Sequence, residues 1–439
     1  MEISFGPIIA ACIAGGPSRL SQHGSSCRVE SGAGQGPLTA PVAGLTGNEK
    51  EVRMGRKIKV GLAGLGSLAQ RGILPHTFQD DAREKIDALA VCDNVPGRAK
   101  AIAEKWGWRQ AYTDYDEMLA HADIEAVLIA TPIPLHYRQV MAALKAGKHV
   151  YCQKSLTTTL AEADDVVRTA RAKGLKLCAS PGEMLRPPWP QIRNVVKEGL
   201  LGRVYWAIAG MQGSGHENEA FRKEDDVLSN VDPTWYYQKG GGPVYDMTVY
   251  CLHELTGILG PVKRVSGMSG IGLPMRRWKD KNIEVEMDDN TLLSLDFDDN
   301  TFGVAFGANC RGGVLPRLAI FGTEGTVQAM GPRRDAGIAA PPGPRTGAAA
   351  RSGVVVTSKH VDGGETELDL PEMPYRVGPH REIGEAHGYA DVMHLIDCLL
   401  ESRDPVPSGE HARHVVEIIE KGYQAARAGK TLELTTTLG

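Results

Sequence analysis

The sequence predicts an α/β chain in which a doubly wound parallel sheet over residues 55–180 precedes an α+β domain over residues 181–439. Three observations carry this prediction. Short apolar runs alternate with amphipathic stretches up to residue 180, a glycine-rich turn follows the first run, and tightly turned alternating runs appear only later. Strand–helix alternation is typical of parallel sheets, and strands joined by tight turns are typical of antiparallel ones. We therefore expect the second domain to contain a large, mostly antiparallel open sheet.

Five apolar runs in the first domain are predicted as strands. They lie at 58–63, 88–92, 126–131, 149–152 and 175–179. Helical periodicity between them predicts helices at 98–106, 136–146 and 160–173, and Gly147 and Gly174 stand in the C′ position of two of these. Strands that are apolar throughout indicate a parallel sheet covered on both faces, and such sheets bind ligands at the carboxyl ends of their strands.

The pattern changes after residue 180. A helix is predicted at 189–198 and a strand at 204–211, and a long polar stretch follows to residue 239. Alternating runs at 291–297, 301–306, 318–321 and 326–328 flank tight polar or glycine turns, which predicts hairpins. The Gly/Pro/Ala/Arg-rich stretch 330–353 is expected to be a flexible insertion, and helices at 388–401 and 410–428 complete the fold.

The composition narrows the class of protein. A chain of 439 residues has room for two or three domains, and its formal net charge of −4 offers no basic surface for nucleic acid or anionic membranes. No apolar run approaches the roughly 20 residues that a spanning helix needs. The eight cysteines include no C-x-x-C pair, and several lie in apolar runs. We expect a cytoplasmic protein with reduced thiols and no metal site, nucleic-acid partner or membrane association.

Residues 1–54 differ from the rest of the chain. They are rich in Gly, Ser, Ala and Pro and nearly free of charge until Glu49. The apolar segment 5–15 lacks the basic start of a signal peptide. We expect a disordered extension upstream of Met54, with a signal peptide as the alternative.

A candidate cofactor site follows the first strand. Gly64-x-Gly66-x-x-Ala69 has the spacing that brings backbone close to a pyrophosphate at a helix N-terminus, where Ser67 and Leu68 stand. Asp93 closes the second strand, where a carboxylate can accept hydrogen bonds from a ribose diol. The pair predicts dinucleotide binding in a Rossmann-type domain, and an ordinary strand–helix turn is the alternative. Asp93 favours NAD over NADP, whereas the nearby Arg98 could accommodate a 2′-phosphate.

Two further candidate segments follow neighbouring strands. Thr131, Pro132 and His136 come after the third apolar run, at the edge where a nicotinamide ribose would lie, although a proline-stiffened turn explains them equally. Lys154 follows Gln153 just past the fourth run. A lysine there can hydrogen-bond a substrate hydroxyl and favour the alkoxide that forms as hydride leaves. An exposed loop lysine is the alternative.

A third candidate segment begins at the triple glycine 240–242. It opens an apparent helix on which Asp246, Tyr250 and His253 stand at i, i+4 and i+7, and therefore on one face. A carboxylate, a phenol and an imidazole together can transfer protons. A helix face with ordinary polar contacts is the alternative.

The motifs occur in a characteristic order. They are Gly64-x-Gly66-x-x-Ala69, Thr131-Pro132, Gly147-Lys148-His149-Val150, Gln153-Lys154, Gly240-Gly241-Gly242 and Asp246. This series resembles the Gfo/Idh/MocA family, which includes glucose–fructose oxidoreductase and inositol dehydrogenases, from about Lys57 to the C-terminal helices. The resemblance implies a Rossmann domain, an α/β domain on a large open sheet, and NAD(P)-dependent transfer of hydride from sugar or cyclitol hydroxyls. It also implies a homodimer or homotetramer formed through that sheet.

The resemblance also implies roles for single residues. Lys154 matches the family lysine that contacts substrate and cofactor, and Asp246 matches a substrate-orienting, catalytic aspartate. Gln153, Ser155, Thr248 and Tyr250 stand where most members have Glu, Pro, Gly and His. A tyrosine at 250 resembles the glucose–fructose oxidoreductase and dihydrodiol dehydrogenase branches, in which it donates or accepts the proton. His253 falls at another site position of the family and becomes a second candidate.

The hypothesis is therefore an oxidoreductase that uses NAD, or alternatively NADP, on a secondary hydroxyl of a carbohydrate-like molecule. Lys154 and Asp246 hold the hydroxyl, and Tyr250 or His253 takes its proton. Polar and aromatic residues of the 183–236 region are expected to line the substrate pocket. They are Glu183, Arg186, Trp189, His216, Trp235 and Tyr236. A trans-dihydrodiol or aryl glycoside dehydrogenase and a non-catalytic dinucleotide sensor remain alternatives.

Overall fold

The computed structural model describes residues 55–222, 225–310, 317–330 and 353–439. The predicted N-terminal extension and the interior of the predicted insertion, 331–352, lie outside these residues. All described residues belong to one compact unit that spans residues 46–439.

The first sheet has six strands, all parallel. They are β1 Ile58–Ala63, β2 Ile86–Cys92, β3 Gln110–Tyr112, β4 Ala126–Ile129, β5 His149–Cys152 and β6 Leu177–Ala179. Their order across the sheet is β3-β2-β1-β4-β5-β6. The predicted parallel, doubly wound sheet is confirmed, because this order places β1 beside the point where the sheet direction reverses. The three-residue β3 was not predicted, since so short a run has no measurable periodicity.

Helices fill the connections and form the C-terminal end of the chain. They are α1 Leu74–Thr77, α2 Asp80–Lys85, α3 Arg98–Trp106, α4 Tyr115–His121, α5 His136–Lys145, α6 Leu160–Ala172, α7 Trp189–Lys197, α8 Thr234–Tyr237, α9 Val249–Leu259, α10 Ala386–Glu401 and α11 Gly409–Ala428. Two π-helical segments, Ala69–Ile73 and Val244–Thr248, lead into α1 and α9. A capping box of Thr159 and Glu162 begins α6, and Gly147 and Gly174 take the predicted left-handed conformation after α5 and α6.

The second sheet has nine strands. They are β7 Val204–Gln212, β8 Arg264–Gly270, β11 Asn290–Asp296, β12 Phe302–Ala308, β13 Leu318–Gly322, β14 Gly325–Met330, β15 Gly353–Ser358, β16 Glu365–Glu367 and β17 Leu432–Glu433, with β9 Met275–Trp278 and β10 Lys281–Glu284 forming a separate ribbon. Their order is β16-β15-β14-β13-β7-β12-β11-β8-β17, and only β7 with β12 is parallel. The prediction of a large, mostly antiparallel sheet is confirmed.

The two faces of this sheet differ in burial. Leu293, Leu295 and Ala305 point inward and share a core cluster with residues of α9 and α11. The opposite face carries Trp206 and Phe302 side by side, with Trp206 50% exposed. One face therefore supports the fold, and the other presents aromatic surface to its surroundings.

Helix α10 connects the C-terminal part of the chain to the first sheet. Its Tyr389, Val392 and Leu395 are buried in the same cluster as Ile58 and Val60 of β1. The N-terminal end of α10 therefore lies near the helix that follows the glycine turn. This packing brings residues 385–387 to the boundary between the two sheets.

The described part of the chain contains no helix that is long and apolar enough to cross a membrane. Its cysteines are all free, and all except Cys310 are buried. Within the same residues, no three metal-binding side chains converge in the way a metal site requires.

Candidate active site

The glycine turn has the shape that a dinucleotide requires. Gly64 has a φ of +85°, and a Cβ there would lie 2.7 Å from the carbonyl of Ala130. A side chain is therefore excluded by conformation and by space. At Gly66, a Cβ would approach nothing closer than Val231, at 3.7 Å. The helix begins directly afterwards, at residue 67, so its free N–H groups face the turn.

Asp93 is part of this turn. Its Oδ2 accepts a hydrogen bond from the Leu65 N–H at 2.9 Å, and its Oδ1 accepts from the Val95 N–H at 2.9 Å. Arg98 lies 3.3 Å from the same carboxylate and donates to the carbonyls of Val227 and Asn230. The guanidinium is therefore engaged by two main-chain carbonyls and by Asp93. The Asp93 carboxylate accepts three hydrogen bonds and has about four acceptor sites, so it can accept a further one.

The residues predicted to line the nicotinamide ribose lie at the carboxyl ends of β4 and β5. The Thr131 methyl group packs against Gly64, and Pro132 precedes a short 3₁₀ turn. His136 is fully buried, with its ring nitrogens 2.7 and 2.9 Å from the carbonyls of Ser155 and Thr131. It joins the two strand ends and stiffens the edge, because its ring contacts backbone on both sides.

Lys154 and Asp246 form an ion pair beside this edge. The Lys154 ammonium donates to Asp246 Oδ1 and, at 2.6 Å, to the main-chain carbonyl of Asp246. Both side chains are about nine-tenths buried. Gln153 has a buried Oε1 without a protein partner and donates through Nε2 to the Tyr151 hydroxyl. A buried acceptor of this kind fits a donor group from a bound cofactor.

His216 contacts the second carboxylate oxygen of Asp246. Its Nε2 lies 3.0 Å from Asp246 Oδ2, and its Nδ1 lies 2.5 Å from Glu219 Oε1. Arg222 in turn donates to Glu219 at 2.8 Å. The result is an alternating chain of cations and anions that begins at Lys154.

The charges in this chain determine its protonation. Burial alone would raise the pKa of Asp246, but Lys154 and His216 hold it well below the usual range. Burial alone would lower the pKa of His216, but Asp246 and Glu219 raise it above its ordinary value. Both shifts favour the charged forms, which are an ionised Asp246 and a protonated His216 with an N–H directed at each carboxylate.

The segment that carries Asp246 is not the regular α-helix that was predicted. Val244–Thr248 is a π-helix, and the Val249 N–H bonds back to the carbonyl of Val244. The Thr248 hydroxyl supports this wider turn by donating to the Pro243 carbonyl at 3.2 Å. The i, i+4 spacing argument that placed Asp246 and Tyr250 on one face assumes an α-helix and does not apply across this π turn.

Tyr250 lies beside the ion pair but bonds to a different partner. Lys154 Nζ is 5.2 Å from the centre of its ring, and its hydroxyl lies 3.2 Å from His387 Nε2. Burial and the charge of Asp246 raise the pKa of Tyr250 well above its ordinary value. The phenol is therefore protonated at neutral pH.

His253 is directed elsewhere. The centre of its ring lies 4.4 Å from that of His411, with the two planes tilted by 47°, and the ring lines a cavity of about 10 Å³ together with Pro181 and Pro407. Burial and the neighbouring histidines lower its pKa well below the ordinary value. The structure brings Lys154, Asp246 and Tyr250 together and does not bring His253 to them.

The predicted substrate-binding residues divide into two groups. Trp235 is partly exposed, and its ring centre lies 6.0 Å from that of His216. Tyr236 is fully buried and donates to Asn309 at 2.7 Å. Arg186 is also buried, where it is paired with Glu183 and Asp391 and donates to the His387 carbonyl. These two support the site from behind.

Sequence reasoning missed the partners of the central residues. It assigned His216 to the pocket wall only, and it did not consider Glu219 or His387. Asp246 and His216 are 30 residues apart, and Tyr250 and His387 are 137 apart. No local pattern connects residues at such separations.

Comparison with known families decides the classification. One profile, described as an oxidoreductase family with an NAD-binding Rossmann fold, matches residues 58–180, and the profile of the Gfo/Idh/MocA C-terminal domain matches residues 189–328. Together they match more than half of the chain. The chain belongs to the Gfo/Idh/MocA family. The resemblance drawn from its motifs is thereby confirmed.

Relatives and solved structures agree with this classification. The chain is 29% identical over 220 residues to D-glucoside 3-dehydrogenase of Escherichia coli (strain K12), which is 48% of this chain and 57% of that protein. It is 26% identical over 252 residues to trans-1,2-dihydrobenzene-1,2-diol dehydrogenase of Bos taurus, covering 57% of this chain and 68% of that protein. The match to the first therefore spans little more than half of that relative's length.

Levoglucosan dehydrogenase in complex with NADH and levoglucosan has a similar fold. Its TM-score is 0.67 at 18% identity, and the match covers 87% of this chain and 100% of that one. Family membership at this distance establishes an NAD-binding Rossmann domain joined to the family's C-terminal domain.

Proposed function

We propose that this chain is an NAD-dependent dehydrogenase that oxidises a secondary hydroxyl of a sugar, glycoside or cyclitol. The observation that carries the proposal is the buried Lys154–Asp246 pair beside Tyr250, at the carboxyl edge of a parallel sheet with a dinucleotide turn. When bound, the oxidised nicotinamide supplies the hydride acceptor. The residues of the chain position the alcohol and handle its proton.

Lys154 has the central role in this proposal. An ammonium has three N–H donors, and two are directed at Asp246. The third is available to bind the substrate oxygen as it becomes a carbonyl, and the fixed positive charge stabilises the negative charge that develops there. Asp246 holds the ammonium in place and remains ionised, so it orients the donor and does not accept the proton.

The cofactor proposal favours NAD over NADP. Asp93 would face the 2′ position of the adenine ribose, where a phosphate would be repelled. Arg98, the residue that could have compensated, is engaged with Asp93 and two main-chain carbonyls. The glycine turn, the helix N-terminus and Gln153 would hold the remaining parts of the dinucleotide.

The substrate would lie between Lys154 and Trp235. An aromatic face beside charged hydrogen-bonding groups suits a sugar ring, which has apolar C–H faces and polar edges. His216 is 21% exposed and protonated, so it can also donate toward a ring hydroxyl if its bond to Asp246 lengthens. These contacts rest on the proposal that the ligand is carbohydrate-like.

We also propose that the chain self-associates through the open face of its second sheet. Phe321, Trp206 and Phe302 are neighbours across β13, β7 and β12, and Leu292 and Met268 are neighbours across β11 and β8. All five are more than one-third exposed. An apolar face of this breadth favours a homodimer or homotetramer, because monomers seldom leave such surface in water.

The direct test is a panel of sugars, glycosides, cyclitols and trans-dihydrodiols with NAD and NADP, followed at the nicotinamide absorbance band. Reduction of NAD by at least one sugar or cyclitol, abolished by Lys154→Ala, is the expected result. Lys148→Ala is the matched control, because Lys148 donates to the Ile124 carbonyl at the amino-terminal ends of β4 and β5, away from the proposed site. NAD binding without turnover of any compound would favour the sensor, and turnover of dihydrodiols alone would favour that substrate class.

A further inference from the structure

None of the three titratable groups around Lys154 can by itself accept the proton of the substrate hydroxyl. Both carboxylate oxygens of Asp246 already accept hydrogen bonds from cations, Oδ1 from Lys154 and Oδ2 from His216, so Asp246 is not free to take the proton. Both ring nitrogens of His216 are directed at carboxylates, Nδ1 at Glu219 and Nε2 at Asp246, so neither is open to the substrate. Tyr250 is a protonated phenol whose pKa is raised, so it cannot act as a phenolate base. A further base is therefore required.

His387 is in the position of that base. Its Nε2 lies 3.2 Å from the Tyr250 hydroxyl, and the two rings meet edge to face with their planes 78° apart. Burial, together with the surrounding cations Arg186, Lys154 and Arg71, lowers the pKa of His387 to about 3. The ring is therefore neutral at pH 7, and its Nε2 can accept a hydrogen bond from the phenol.

Glu385 lies on the Nδ1 side of the His387 ring. Its Oε2 lies 3.5 Å from His387 Nδ1, and its Oε1 lies 3.1 Å from Arg71 Nη1. Arg71 also donates to Ser67 at 3.0 Å, at the start of the helix that follows the glycine turn. A carboxylate beside Nδ1 favours the tautomer in which Nδ1 is protonated and Nε2 accepts.

The backbone is specialised to hold Glu385 at this place. Glu385 has a φ of +56°, a conformation that residues other than glycine seldom adopt. A Cβ on Gly72 would lie 2.8 Å from both the Cβ and the carbonyl oxygen of Glu385. Gly72 therefore allows the N-terminal end of α10 to contact the helix after the glycine turn. Strain of this kind collects at functional sites.

We propose that Glu385 and His387 form a proton relay behind Tyr250. This inference rests on the proposed dehydrogenase function. As hydride leaves the substrate carbon, the O–H bond of the substrate breaks and its proton passes to the Tyr250 oxygen. The phenol proton moves at the same time to His387 Nε2, so Tyr250 remains a neutral phenol and His387 becomes an imidazolium beside Glu385.

His387 can accept the proton in this step despite its low basicity. The hydroxyl proton becomes strongly acidic as its oxygen takes on carbonyl character, so a weak neutral base can accept it. The same low basicity prevents the imidazolium from persisting. The side chains of His387 and Glu385 are 25% and 26% exposed, so the proton can pass on to water. His387 and Glu385 are positioning residues in this scheme, because neither touches the substrate.

The first test does not depend on turnover. Nitrogen-15 NMR of histidine-labelled full-length protein at pH 7, assigned by its difference from His387→Gln, reports the tautomer of His387. We expect a neutral ring protonated on Nδ1, with the Nε2 signal shifted in Tyr250→Phe and the preference for Nδ1 reduced in Glu385→Gln. A charged ring, or a ring protonated on Nε2, would overturn the relay and would leave the proposed dehydrogenase function standing.

The second test measures kinetics with the best substrate of the panel. His387→Gln and His387→Ala should lower kcat about 100-fold and leave both KM values within about threefold. Added imidazole should restore part of the activity of His387→Ala. Glu385→Gln should lower kcat about tenfold, a size usual for an orienting partner. Glu382→Gln, an exposed acid in the same loop, should match the wild type.

Two kinetic outcomes count against the relay. One is a His387→Ala variant with wild-type kcat, and the other is a folded variant with reduced kcat that imidazole does not restore. Thermal unfolding of each variant separates a loss of folded protein from a loss of proton transfer. An inactive wild type would reject the proposed function, and the NMR result would then decide the Tyr250–His387–Glu385 arrangement by itself.

Discussion

Replacing Asp246 with asparagine preserves side-chain volume and removes the negative charge between Lys154 and His216. The wild-type carboxylate accepts charge-assisted hydrogen bonds from both cations inside a site that is about nine-tenths buried. Such bonds contribute about 1.5–3 kcal/mol each. The two are coupled through one carboxylate, so we expect them to contribute less than their sum.

A loss of about 3 kcal/mol in transition-state stabilisation corresponds to a fall in kcat of about 100-fold. The pKa of His216 should also fall in the asparagine variant. Asp246 provides the two largest interactions that raise this pKa, a hydrogen bond and a negative charge. NAD affinity should change little, since Asp246 lies on the segment before α9 and the dinucleotide turn lies after β1.

The assay is steady-state reduction of NAD, accompanied by NAD binding measured by fluorescence and by urea unfolding. Asp296→Asn is the matched control, because it removes the carboxylate partner of Arg264 where β11 pairs with β8 in the second sheet. A kcat within about fivefold of the wild type, in an Asp246→Asn variant that binds NAD normally, would refute the assigned role of the ion pair.

Four further predictions test other parts of the molecule. Tyr250→Phe should lower kcat about 100-fold, whereas His253→Ala should affect mainly thermal stability, and the reverse order would transfer the proton role to His253. The wild type should use NAD at least about tenfold more efficiently than NADP, because the Asp93 carboxylate repels a 2′-phosphate, and a preference for NADP in kcat/KM would contradict this. The folded-state pKa of Glu417 is lowered from 4.5 to about 2 by Lys421 and two C-terminal threonines, despite burial. Its stabilising contribution is therefore present above pH 4.5 and is lost as the pH falls from 4.5 toward 2. Glu417→Gln should cost about 2–3 kcal/mol at pH 7 in urea unfolding, and the difference should shrink across that window. Trp206→Glu should shift the protein to a smaller species in size-exclusion chromatography with light scattering, and an unchanged mass would exclude the open sheet face as the interface.

Five of the six strands of the first sheet were predictable because each contains a continuous apolar run, whereas the three-residue β3 does not. Predicted and observed bounds agree at β1 and β5 and differ by two residues at β2, β4 and β6. The helix that carries Asp246 was predicted with the wrong geometry. Its π turn depends on a hydrogen bond from Thr248 and on the close approach of Gly307 to that hydroxyl, 59 residues away.

The cofactor site shows a similar division. Gly64, Gly66 and Asp93 were found from spacing, because the turn and the strand end lie within one strand–helix–strand unit. The role of Arg98 remained open in the sequence. The structure resolves its contacts, because a segment more than 120 residues later supplies the carbonyls that bind it.

The sequence by itself determined the alternation of strands and helices in the first domain, the dinucleotide turn and the identity of Lys154, Asp246 and Tyr250 as candidates. These features depend on backbone conformation and apolar periodicity within short windows. Only the tertiary structure decided that His216 pairs with Asp246, that His387 pairs with Tyr250 and that His253 lies apart. Such contacts depend on how distant elements pack, and burial among those neighbours sets the charge that each group carries.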